Sequence, residues 1–369
     1  MATFPRNPIQ SLSDSHPQYD LGESYGPELR LSDLLTPELA ELDLGYGTGQ
    51  GDERLRAAIA AVHNVDADQV VVTIGGQHAI FLLAYLTADH GQVVTTAPLF
   101  PAARNVSEAV GAEVRVVPLT FDNGYRLQAA DVVAQLTPDT NLVSLASPQN
   151  PSGVAIPLEV FREIYEAMAT ICPAAYLLVD DTYRTASYGD DPIAESALSL
   201  GDKVVTVASL SKCHGAAGLR TGWAISKDPD LIERLITAKF STVVTGSPLT
   251  EALAVRVFDL QDEILAVRRP WLAEGVAATE EWVRANDDLV EWVRPDAGAL
   301  CCIRLKPAVN LNRFRAVAAE LSIRLAEGEW FTDEPRVFRL GFGYPPPVEL
   351  KTALDVLTTA LHKAVHPSD

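Results

Sequence analysis

Sulfur is scarce in this chain, with four cysteines and two methionines among 369 residues. Cys172, Cys213, Cys301 and Cys302 form neither a disulfide framework nor a metal-binding spacing, so no metal site is expected. Adjacent Cys301 and Cys302 read as small apolar residues of a strand. Positive charge is short as well: 29 Lys and Arg stand against 49 Asp and Glu, for a net charge of -20. Such a field repels nucleic acid and anionic membranes, and neither is expected as a partner. Any anionic ligand must be held by local donors. Long hydrophobic runs are missing too. The most apolar window, Val70 to Ala88, is interrupted by Gly75-Gly76-Gln77-His78 and cannot span a bilayer. The opening MATFPRNPIQSLSDSHP has no apolar h-region, so no signal peptide is expected and the setting expected is cytoplasmic and reducing.

What is present is a recurring unit of a short apolar run, a loop and a helical pattern. The runs are QVVVT (69–73), QVVTTAP (92–98), EVRVVPL (113–119), NLVSLASP (141–148), AYLLVDD (175–181), KVVTVAS (203–209) and GWAIS (222–226). Continuous apolar strands alternating with amphipathic helices predict an α/β fold with a mainly parallel seven-stranded sheet covered on both faces. The length suggests two domains. A large one is expected over residues 43–270, and a small α+β one over 271–369, with residues 1–42 packing on it. Pro270 is read as breaking a long helical pattern. WVRPDAGALCCIRL and VFRLGFG read as strands of the small domain, and Asn310–Leu321 and Val348–Val365 as its helices.

Ligands of open α/β sheets sit beyond the carboxyl ends of the strands. The first run is followed by Gly75-Gly76-Gln77 and a helical pattern, which reads as a turn or as a phosphate cradle at a helix start. The second ends in Phe100, a core residue or a stacking platform. After the fourth comes Pro148-Gln149-Asn150-Pro151, whose plainest reading is a turn. The fifth closes on Asp180-Asp181-Thr182-Tyr183. A helix cap accounts for one of these acids but not easily for both. Ser209-Leu210-Ser211-Lys212 closes the sixth, then a glycine-rich loop to Arg220. A lysine directly after a buried strand is suited to a lowered pKa and imine chemistry, and Arg220 to a phosphate. Singly, Lys212 and Arg220 read as surface charges. Together these residues suit a phosphorylated pyridine aldehyde.

The chain resembles the class I/II aminotransferases, the fold-type I pyridoxal-phosphate enzymes. The resemblance is most specific in SLSKCHGAAGLRTGW, with support from YGTGQGDERLR, TIGGQHA, PQNPSG, VDDTY and FRLGFG, in the family's order from about residue 43 to 343. It implies that Lys212 carries pyridoxal 5'-phosphate as a Schiff base and then moves the α-proton. Asp180 pairs with the pyridine nitrogen, and Tyr183 and Asn150 with the ring's phenolic oxygen. Phe100 stacks on the ring. Gly76, Gln77, Ser209 and Arg220 hold the phosphate, and Tyr46 reaches the phosphate of a neighbouring subunit, which implies a homodimer. Arg339, with Asn150 and Gly22, binds the substrate's α-carboxylate.

The implied reaction moves an amino group from an L-amino acid to a 2-oxo acid. The same site is open to a lyase, a cyclase or synthase, or an oxidase. A regulator binding the cofactor would need a basic DNA-binding segment, which is lacking. The chain departs from the family pattern in Asp181, commonly Glu, in Phe100, often Tyr or Trp, and in Glu327-Gly328-Glu329-Trp330, where relatives carry Pro-Gly. Glu23 and Glu329 are candidates to face a cationic substrate side chain, and Arg104 and Arg184 an anionic one. All four also read as scattered surface charges.

Overall fold

The computed structural model describes residues 4–14, 17–189 and 195–365. The seven apolar runs form seven strands of one sheet: β1 (Val70–Ile74), β2 (Gln92–Ala97), β3 (Glu113–Pro118), β4 (Thr140–Ala146), β5 (Tyr176–Asp180), β6 (Val204–Ser209) and β7 (Thr221–Ser226). Their order across the sheet is β1-β7-β6-β5-β4-β2-β3. Only β7 runs antiparallel to its neighbours, β1 and β6. Helices cover both faces, which is why β2, β6 and β7 are buried along their whole length.

A second, four-stranded antiparallel sheet follows from β8 (Val290–Val293), β9 (Leu300–Leu305), β10 (Ala326–Glu327) and β11 (Val337–Gly341), in the order β10-β11-β9-β8. Cys301 and Cys302 lie in β9 and are fully buried. Helices Leu311–Glu320 and Pro347–Ala364 pack on each other beside this sheet. Near the chain start, Tyr19–Asp20 pairs in parallel with Ile323–Arg324.

Two details differ from the sequence reading. Pro270 sits inside the continuous helix Gln261–Ala285, and the helical stretch breaks instead at Leu260. A mid-helix proline loses a backbone hydrogen bond and costs ~3 kcal/mol. Here buried Ile264, Leu265, Leu272 and Val276 flank it and hold the helix against the core. The stretch WVRPDAGALCCIRL is two strands rather than one. Pro295 ends the first, Gly298 turns at φ +95°, and the Asp296 and Ala297 amides donate to the Gly153 carbonyl.

Candidate active site

The strand ends meet as the fold requires. Asp180 and Asp181 are consecutive at the end of β5, and side chains of an extended chain alternate in direction. Asp180 therefore lines one cavity with Phe100, Asn150, Ala146 and Leu178. Asp181 lines another, with Arg184, Glu195 and Asp296. Burial raises the pKa of both carboxyls, that of Asp181 to about 7. The Thr182 amide donates to Asp180 Oδ1 at 3.0 Å, and the Lys212 charge also favours the Asp180 carboxylate. Asp181 Oδ2 has no hydrogen-bond partner among the described residues.

Lys212 follows β6 by three residues, so its backbone is fixed by the sheet while its side chain is free to lean over the strand ends. Its Nζ donates to Ser24 Oγ at 3.0 Å and stands 5.0 Å from the Tyr25 ring centroid. Burial holds its pKa down at about 8, helped by the charges of Arg339 and Arg220 and opposed by Glu23 and Asp180. A sizeable fraction of the amine is thus neutral near physiological pH, the form that attacks a carbonyl.

Polar side chains run from Lys212 across the site. Ser24 neighbours the Tyr183 phenol. Asn150 Nδ2 lies 3.5 Å from that phenol oxygen, and Asn150 Oδ1 accepts from Arg339 Nη1 at 2.9 Å. Arg339 Nη2 donates to the Gly22 carbonyl at 2.5 Å, and its Nε has no hydrogen-bond partner among the described residues. The guanidinium, 2% exposed, lies 4.9 Å from the Phe331 ring centroid. A buried cation with an unused donor suits a small carboxylate.

Beside Lys212 lies a cradle that side chains would fill. Helix Gly75–Thr87 starts directly after β1, with free amides at its N-terminus. Gly75 has φ +73°, and a Cβ on it would lie 2.6 Å from Arg220 Nη2. A Cβ on Gly222 would lie 2.3 Å from the Gly75 carbonyl carbon. Glycine at both positions lets β7 and the helix start approach closely, with Arg220 against them. Ser209 Oγ accepts from the Ser211 amide, Gln77 Nε2 donates to the Ala102 carbonyl, and Gly76 lies against the Ala208 carbonyl. Phosphate donors, an amine of lowered pKa, a carboxylate and a ring face suit pyridoxal phosphate.

Tyr46 is not brought into this group; it is 88% exposed. Glu329 and Arg104 are engaged elsewhere, with Arg315 at 2.6 Å and Glu108 at 2.7 Å. Arg184 Nη1 lies 3.4 Å from His63 Nδ1, and this arginine lines the cavity of Asp181 rather than that of Asp180. Ser24 and Tyr25, which meet Lys212, escaped the sequence reading. They lie in an irregular segment where no periodicity marks a side chain's direction.

The family model for aminotransferase class I and II matches residues 38–357. The chain belongs to this family. Its cofactor is pyridoxal 5'-phosphate, and it is a pyridoxal-phosphate-dependent transferase by family. Among relatives of this aminotransferase-family chain, capreomycidine synthase of Streptomyces vinaceus is 29% identical over 90% of this chain and 86% of its own. The arginine–pyruvate transaminase of Pseudomonas aeruginosa is 30% identical over 71% and 68%. A solved structure of the pyridoxal-phosphate-dependent cyclase OrfR superposes with TM-score 0.85 at 25% identity, over 98% of each chain. A Streptococcus suis aminotransferase reaches TM-score 0.90 at 22% identity, over 99% and 100%, and shows the same fold. Among the described residues, no helix is long and apolar enough to cross a membrane, and no cluster of His, Cys, Asp or Glu could hold a metal ion.

Proposed function

We propose that the protein is an aminotransferase that moves the amino group of an L-amino acid to a 2-oxo acid. The observation that carries this reading is the line of polar side chains from Lys212 through Ser24, Tyr183 and Asn150 to Arg339, set beside Asp180. When bound, pyridoxal phosphate supplies an electron-withdrawing ring that stabilises negative charge at the substrate's Cα. Asp180 keeps a proton on the ring nitrogen. Asn150 and Tyr183 donate to the ring's phenolic oxygen while Phe100 covers its face. Gly76, Gln77, Ser209 and Arg220 hold the phosphate. Arg339, held by Asn150 Oδ1 and the Gly22 carbonyl, grips the α-carboxylate and turns the Cα–H bond towards Lys212 Nζ, which takes the proton. Orientation of this kind contributes up to ~7–11 kcal/mol in the most favourable intramolecular cases.

A second reading, a cyclase or synthase acting on an amino acid, is supported by the similarity to capreomycidine synthase and to the OrfR cyclase. One half-reaction separates the two. An aminotransferase given one accepted amino acid alone releases one equivalent of 2-oxo acid per site and stops, with its cofactor left as pyridoxamine phosphate. Adding a 2-oxo acid restarts it. Sustained turnover on a single amino acid, without an acceptor, sinks the transamination reading.

The active form is a homodimer in this proposal, with Tyr46 reaching the partner's cofactor phosphate, and the reaction belongs to the cytoplasm.

A further inference from the structure

The segment from Gly22 to Tyr25 crosses directly over the reacting groups. The Gly22 carbonyl takes the Arg339 guanidinium, and two residues on, Ser24 Oγ takes Lys212 Nζ. Glu23 lies between these two contacts in the chain, and its carboxylate comes within 3.9 Å of Arg324 Nη2. Its side chain is 16% exposed. Among charged groups it is the strongest influence on the Lys212 ammonium, ahead of Asp180.

Among the described residues, the ion-pair contact of that carboxylate is Arg324 Nη2 at 3.9 Å, and Arg324 is gripped through Nε and Nη2 by both oxygens of Asp20. The charges of the working site can then be balanced. Lys212 is uncharged when it accepts a proton, Asp180 faces the protonated ring nitrogen, and Arg339 is neutralised by the substrate's α-carboxylate. Asp20 and Arg324 cancel each other. Glu23 is left with Arg324 at 3.9 Å as its cation, already shared with Asp20.

The neighbouring space agrees in sign. A pocket beside the segment is lined by Asp20, whose carboxylate Arg324 holds, by Glu28 and Glu349 and by Tyr19, Trp271 and Tyr344, with no lysine, arginine or histidine among the described residues of its wall. Aromatic faces and carboxylates both attract organic cations. The Tyr25 ring, 5.4 Å from that of Tyr344, links this pocket to Lys212.

We propose that Glu23 sets the side-chain specificity of the site and selects amino acids whose side chain ends in a cation, ammonium or guanidinium. This rests on the amino-acid reading above but not on which reaction follows. The other candidate for that role, Glu329, is committed to Arg315.

The test uses carboxylates that carry no primary amine and so form no imine with the cofactor. Calorimetry on the holoenzyme compares 5-guanidinopentanoate and 6-(dimethylamino)hexanoate with hexanoate. The cationic pair should bind about tenfold tighter or more, as a charge-assisted contact provides. Glu23→Gln should reduce that preference to within about twofold, with hexanoate binding and the near-visible absorbance of the lysine-linked cofactor retained. Equal binding of all three by the wild-type protein overturns the proposal and needs no variant. A full preference surviving in E23Q overturns it as well. Failure of the transamination reading shows separately, in the half-reaction with a single amino acid.

Discussion

Lys212 and Asp180 share one water-poor environment, and burial acts on them in opposite directions. For the lysine this leaves a pKa of about 8, with Arg339 and Arg220 lowering it and Glu23 and Asp180 raising it. Only the neutral amine links to the cofactor. The rate of reloading apoprotein with pyridoxal phosphate should therefore rise with pH, half-maximal near 8. A midpoint near the unperturbed lysine value of ~10.4 contradicts this assignment. The adjacent acids give a second prediction. Asp180→Asn should lower kcat by about two to three orders of magnitude, the scale of one preorganised charge. Asp181→Asn should cost much less, because Asp181 opens on the other cavity. The reverse ranking, measured with folding verified by circular dichroism, would falsify the assignment. In the sequence the choice of Asp180 over Asp181 rests on spacing to Tyr183 within the family motif, and the structure turns the two acids into different cavities. The roles of Ser24 and Tyr25 are not local: both face Lys212, 188 residues distant for Ser24.

At the scale of elements, buried strands advertise themselves. All seven strands of the large sheet coincide with apolar runs to within two residues, since a strand covered on both faces has no polar side. The antiparallel direction of β7 was not legible, because direction depends on the route of the connecting loop rather than on the strand's composition. Pro270 misled for a related reason. Local propensity puts a break there, and the packing of Leu265, Leu272 and Val276 overrides it. The glycines were legible only as permissive positions. Their purpose appears once Gly222 is seen against Gly75 and Gly75 against Arg220. The N-terminal segment is fixed by tertiary bonds alone: Leu21 N to the Arg324 carbonyl, Gly341 N to the Leu21 carbonyl, and Arg268 to the carbonyls of Gly26 and Pro27.

The whole molecule carries apolar side chains that a lone chain leaves in water. Leu31, Leu35, Leu44 and Tyr46 are 57%, 58%, 79% and 88% exposed, and Phe240 is 59% exposed. Gly47 sits against the Gly246 carbonyl, so the stretch bearing Tyr46 touches the loop that follows helix Pro229–Val243. Light scattering at working concentration should give a mass near twice 39.8 kDa. A fully active monomer removes the cross-subunit role of Tyr46. The pairing of Tyr19–Asp20 with Ile323–Arg324 has one more consequence. It ties the segment bearing Glu23 to the C-terminal part of the chain, whereas Asp180 ends, and Lys212 follows, strands of the large sheet. Under the proposed specificity, exchanges near Glu23 alter which side chains are accepted without touching the strand ends that carry Asp180 and Lys212.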